Sequence, residues 1–113
     1  MNNISAGTVI RYRKVSKQYV IQHGKFEKYI PVWLCISVRD QVLMIIDGLE
    51  PGESYTLEEL CGERYWRGLR NATNCRKAGV FMAQMVRKGS MPLKFAGYRG
   101  ATRLYELPNV ITH

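Results

Sequence analysis

The chain has 113 residues, a formal net charge of +8 and an isoelectric point near 9.7. Hydrophobic residues at 46% and charged residues at 23% are ordinary for a folded domain, which argues against a disordered chain. The length fits one small domain that can bury a core without disulfides, and the apolar stretch PVWLCISVRDQVLMII, broken by Arg39 and Asp40, is too short for a membrane span.

The charge is unevenly placed. Residues 1–36 hold six Lys/Arg against Glu27, residues 37–62 hold Arg39 against six acids, and residues 63–113 hold ten Lys/Arg against Glu63 and Glu106. A basic footprint on part of a small domain is what a phosphate-backbone binder needs. The bland alternative is a basic protein kept soluble by its charge.

MNNISAG has no apolar run behind a basic start, so no secretory leader is expected, and residues 1–7 read as a loose terminus. TVIRYRKV and QYVIQHGKFEKYIPVW are rich in Val, Ile, Tyr and Phe and read as strands, the second folding at His23-Gly24-Lys25. SKQYVIQHG reads equally as a short helix with Ser16 as cap and Gly24 as stop. Arg11, Arg13 and Lys14 form either a second phosphate patch or a solvated strand face.

SVRDQVLMIIDG predicts a helix over 37–48: Ser37 and Asp40 approximate a capping box, the apolar residues share a face, and Gly48 ends the run. LEPGES is a turn. In YTLEEL, Thr56 and Glu59 form a T-x-x-E capping box that opens a short helix ending at Gly62. Glu58 and Glu59 then lie in its first turn, where the helix dipole favours them, so a catalytic carboxylate pair is not expected. GERYWRGLRNA, residues 62–72, reads as a loop or partial helical turn anchored by Trp66 and Leu69.

The next helix is predicted over 74–88, with Thr73 as N-cap and Gly89 as stop. At about 100° per residue, Cys75, Ala78, Phe81, Met82, Met85 and Val86 fall on one side. Arg76, Lys77, Gln84 and Arg87 fall on the other, with Val80 and Ala83 among them. Residues 93–107 then read as two strands around a tip of Gly97-Tyr98-Arg99-Gly100, and PNVITH follows as a tail, residues 108–113.

Cys35, Cys61 and Cys75 make no C-x-x-C, and His23 and His113 complete no zinc-ligand spacing. Three reduced cysteines in a cytoplasmic protein are expected, with Cys61 and Cys75 in the core and no metal or other cofactor.

The order of elements resembles the winged helix-turn-helix superfamily. RDQVLMIIDG stands as first helix, YTLEEL as second, TNCRKAGVFMAQMVRKG as recognition helix and MPLKFAGYRGATRLYEL as wing. The resemblance is one of element pattern over residues 37–107. It implies an α+β fold of three helices plus a C-terminal β-hairpin wing, with residues 1–36 as an N-terminal extension, as strands or a dimerisation element. The length between the YTLEEL helix and the recognition helix departs from the tight turn usual there.

The resemblance implies double-stranded DNA as partner. Arg76, Lys77 and Gln84 would face the major groove, with Val80 and Ala83 small enough for close approach and Arg87 farther along. Tyr98 and Arg99 on the wing would meet sugar and phosphate, or Arg99 the minor groove. Lys94, Arg103, Arg64, Arg67 and Arg70 would extend the basic surface. The alternative for each is a solvated polar face. A compact basic regulator, bound as a homodimer to repeated half-sites, suits a phage or mobile element.

Enzymatic motifs are missing: the sequence has no G-x-S-x-G, P-loop or H-E-x-x-H, and no catalytic activity is expected. A second reading is an interaction module whose basic surface takes an acidic partner protein. A third is RNA or single-stranded DNA binding with Tyr65, Trp66 and Tyr98 as stacking platforms.

Overall fold

The computed structural model describes residues 10–13, 18–23 and 25–108. The terminus expected over 1–7, most of the tail, the expected cap Ser16, the turn residue Gly24 and Lys14 lie outside them, as do the side chains of Arg11 and Arg13. The fold is α+β, and the chain divides into two compact units, residues 1–37 and 38–113.

In the first unit, β1 (Ile10–Arg13), β2 (Gln18–His23) and β3 (Phe26–Pro31) form an antiparallel sheet in that order. Ile10 stands opposite Ile21, and Tyr19 opposite Ile30. The strand reading of 18–23 therefore holds and the helical one does not. The β-branched and aromatic residues fit a pleated surface, and Val20, Ile21 and Ile30 are buried.

Helix α1 spans Val32–Ile45, starting five residues before the expected Ser37. Proline suits this start, having no N–H to leave unsatisfied and a fixed φ, and Pro31 stands just ahead of the first turn. Leu34, Cys35, Val38 and Val42 then make one buried stripe at helical spacing. The sequence hid this because VWLCI is apolar on every side, so periodicity cannot tell strand from helix there. A 3₁₀ turn, Ile46–Gly48, ends the segment.

In the second unit, Tyr55 forms an isolated antiparallel bridge to Tyr105, each amide donating to the other's carbonyl at 2.8 and 2.7 Å. Helix α2 (Leu57–Cys61) follows at once. Its capping box is fully formed: the Glu59 amide donates to Thr56 Oγ1 at 3.1 Å, and the Thr56 amide to Glu59 Oε1 at 2.8 Å. Gly62, at φ +91°, separates α2 from α3 (Glu63–Asn71). The stretch expected as a loop or partial turn is thus a helix, and its buried anchor is Leu69. Hence there are four α-helices among the described residues, one more than expected.

Helix α4 spans Cys75–Arg87. The expected N-cap Thr73 instead terminates α3. It holds φ +58°, with its amide donating to Arg70 O and the Asn74 amide to Leu69 O, a Schellman closure with threonine in the left-handed position. Asn74 is the N-cap of α4 but makes no side-chain cap bond. At the other end, Gly89 at φ +76° closes α4 in the same way, its amide on Val86 O and that of Ser90 on Met85 O.

Strands β4 (Lys94–Arg99) and β5 (Thr102–Glu106) pair antiparallel, so Tyr105 gives β5 a second neighbour through Tyr55. The tip is Gly100-Ala101, and Tyr98 and Arg99 belong to β4 rather than to the turn. Phe95 pairs with Tyr105 and Tyr98 with Arg103, which leaves Ala96 and Gly97 opposite Leu104 alone. This is a β-bulge, and Gly97 takes φ +103° within it. Leu57, Leu60, Cys61, Leu69, Ala78, Phe81, Met82, Met91, Leu93 and Tyr105 are buried in this unit. Cys75, expected in the core, is only half-buried, whereas Cys35 and Cys61 are fully buried; all three are free thiols. None of the described helices is long and apolar enough to cross a membrane.

Candidate nucleic-acid interface

Helix α4 presents Arg76 and Arg87 at its two ends on one stripe, with half-buried Val80 and Ala83 between them at spacings of four, three and four. Lys77 is exposed beside Arg76. Both cations lie in the first turn, which contains no acidic residue. The helix dipole places partial positive charge there, so Arg76 and Lys77 work against helix stability. Among the described residues neither has a carboxylate within ion-pair distance. The result is a concentrated positive region suited to an anion.

Gln84 does not belong to this open surface. It is 4% exposed, its Oε1 accepts from the Arg87 guanidinium at 3.3 Å, and its Nε2 is buried with no hydrogen-bond partner. The helical wheel put it on the polar side, but β4 packs against α4 and the enclosed sector is wider than hydropathy suggests. Arg87 stays exposed; burial pushes the Tyr105 phenol up, and the charge of Arg103, then that of Arg87, opposes the rise.

The other expected basic residues are largely held by carboxylates. Arg67 pairs with Glu63 at 3.5 Å across one turn of α3, and Arg70 with Glu58 of α2 at 3.8 Å. Lys94 meets its cross-strand neighbour Glu106 at 3.1 Å, and Arg99 meets Glu59 at 3.2 Å. Arg64 is exposed. These pairs lie at the surface, where each is worth roughly 0–1 kcal/mol, and a phosphate can displace them.

Arg103 is engaged differently. Its guanidinium lies 5.3 Å from the Phe95 ring centre and 5.6 Å from that of Tyr98, and the two rings meet edge to face at 5.2 Å. Sequence reasoning missed Phe95. In a regular strand, residues three apart point to opposite faces. The bulge changes that parity, and Gly97 was the only signal of it. Tyr65 and Trp66 are half-buried on α3, whereas Tyr98 is exposed on β4.

Among the described residues, no group of three or more His, Cys, Asp or Glu is placed to hold a metal ion. Compared with known protein families, curated proteins and solved structures, the chain matches none.

Proposed function

We propose that the protein is a small sequence-specific DNA-binding regulator of winged-helix architecture, with α4 as recognition helix and the β4–β5 hairpin as wing. The observation that carries this reading is the first turn of α4, where Arg76 and Lys77 concentrate positive charge that the helix itself disfavours. The topology supports it. The Tyr55 bridge to β5, the broken pair α2–α3, the closed turn at Thr73, α4 and the hairpin follow one another in an order compatible with that architecture. The irregular helix at Gly62 accounts for the extra length before α4. Arg76, Lys77, Val80, Ala83 and Arg87 would enter the major groove, and Tyr98, Arg99 and Arg103 would lie along the flanking backbone. Two copies on repeated half-sites would supply the affinity a single small module lacks.

The test is fluorescence anisotropy with random duplex DNA over a salt series. Affinity is expected to fall steeply with salt, and Arg76→Ala, Lys77→Ala and Arg99→Ala each to weaken binding and reduce the slope by about one counterion. Variants that keep their fold and bind as the parent does would reject the surface. The second reading, an acidic partner protein, is favoured by one observation: Glu58, Glu59, Glu63 and Glu106 already sit on the basic residues, so this surface accommodates carboxylates. Duplex DNA that fails to bind even at low salt would favour it.

A further inference from the structure

The hairpin carries an aromatic pair that folding does not explain. Phe95 is 44% and Tyr98 58% exposed, while the strand's anchoring aromatic, Tyr105, is buried. Cross-strand partners share a face, so Phe95 with Tyr105 and Tyr98 with Arg103 all lie on one side of the ribbon. If all six residues of β4 paired regularly, without the bulge, Tyr98 would point to the other side. Three features thus converge: a glycine at φ +103°, an edge-to-face ring pair and a guanidinium beside both rings. Together they hold a rigid aromatic surface in water, at a cost that apolar burial elsewhere must offset.

The charge around this surface narrows its occupant. Arg103 lies within it, while Lys94 and Arg99, the neighbours of Phe95 and Tyr98 in β4, alternate to the other face and are held by Glu106 and Glu59. An aliphatic side chain would satisfy the rings but not the guanidinium. A lone phosphate would satisfy the guanidinium but not the rings. A nucleotide satisfies both, with its base stacked on a ring and its phosphate beside a guanidinium. Inside a duplex both base faces are covered by neighbouring pairs, so an unpaired base offers a face that an internal pair cannot.

We propose that the Phe95–Tyr98–Arg103 surface binds an unpaired nucleotide of DNA adjoining the duplex, at an end, a fork or an opened site. This rests on the duplex-binding reading above, with the aromatic surface adding selectivity for the junction. The geometry gives Tyr98 and Phe95 the stacking role and Arg103 that of holding the rings and meeting the phosphate.

The experiment compares a blunt duplex of about two helical turns with the same duplex carrying a short single-stranded overhang. Both are titrated with the full chain by fluorescence anisotropy at low salt. The overhang duplex is expected to bind about tenfold or more tightly, and Phe95→Ala to erase that preference while leaving blunt-duplex affinity near the parent value. Tyr98→Trp should retain it, and an overhang 2-aminopurine should be quenched by the parent but not by Tyr98→Ala. Equal affinity for the two duplexes, with salt-dependent binding to both, overturns the inference and leaves the duplex reading standing. No binding to either overturns both.

Discussion

The Arg99 guanidinium lies 3.2 Å from the Glu59 carboxylate, forty residues earlier in the chain. Glu59 performs two tasks with its two oxygens: Oε1 accepts from the Thr56 amide at the start of α2, and Oε2 holds the hairpin cation. A phosphate approaching Arg99 must therefore compete with a carboxylate that the helix cap holds in place. Glu59→Gln keeps an acceptor for the cap and removes the charge. In the DNA-binding reading it should tighten duplex binding and steepen the salt dependence by about one counterion. Anisotropy titrations at several salt concentrations measure both. Unchanged affinity and slope would mean that Arg99 does not meet the backbone.

The same residue makes a prediction about acid stability. The Thr56 amide, above all, holds the Glu59 carboxyl below its ordinary value of 4.5; burial acts the other way, and the Arg99 side chain adds to the lowering. The folded chain thus binds fewer protons at this site than the unfolded chain, and stability rises with pH through that window. The contribution is complete above about pH 4.5 and is lost as pH falls through the lower folded-state value. Thermal melts from about pH 6 to pH 3 should show the parent losing stability more steeply than Glu59→Gln. Parallel curves would show that the cap and the ion pair contribute nothing measurable.

Thr73 is a β-branched residue in the left-handed region, at φ +58°, in the turn that joins α3 to α4. That conformation costs an ordinary residue roughly 1–2 kcal/mol, partly regained in the unfolded state because glycine there has more freedom to lose. Its hydroxyl donates to Ala72 O at 2.6 Å, a local bond at an exposed site. Thr73→Gly should raise stability by about 0.5–1 kcal/mol, or several degrees in Tm. A lower Tm would mean that the hydroxyl bond outweighs the backbone strain.

How much was legible follows from which signals are local. The Thr56–Glu59 box was read correctly because a cap involves four consecutive residues and nothing else. The glycine stop at Gly89 was read for the same reason. The first helix was placed five residues late because its opening turn is apolar all round, and a near-match at Ser37 and Asp40 offered a false start. Residues 62–72 read as a loop or partial helical turn rather than a full helix because Arg, Trp, Gly and Asn alternate without a wide apolar stripe; only Leu69 of α3 is buried. The candidate site was legible as charge but not as geometry. Nothing local marks that Arg99 reaches Glu59, that Gln84 is enclosed, or that Phe95 and Tyr98 share a face.

The thiols offer a check on the packing of both units. Burial pushes Cys35 and Cys61 up to about 12, while Cys75, half-buried at the start of α4, is raised by desolvation and eased by the nearby Arg70 charge. Reaction requires thiolate and access together. An aromatic disulfide reagent at about pH 8 should modify Cys75 first in the native protein, and Cys35 and Cys61 only when the chain unfolds. Mass spectrometry of the labelled peptides gives the order. Early labelling of Cys61 would show that the α2 region opens without global unfolding.

The bulge at Ala96-Gly97 sets where the hairpin aromatics point, so it can be tested apart from any ligand. A Cβ at Gly97 would meet nothing within 4 Å, which leaves the backbone as the obstacle: φ +103° is strained for any other residue. Gly97→Val should cost about 1–3 kcal/mol in stability if the bulge is kept. If the strand instead sheds the strain by moving toward regular pairing, Tyr98 turns away from Arg103 and the ring pair separates. Either result is visible: the first as a fall in Tm with the ring-current shifts of Phe95 and Tyr98 retained, the second as loss of those shifts in the NMR spectrum. A Gly97→Val variant with parental Tm and parental shifts would show that the left-handed glycine is not what positions Tyr98.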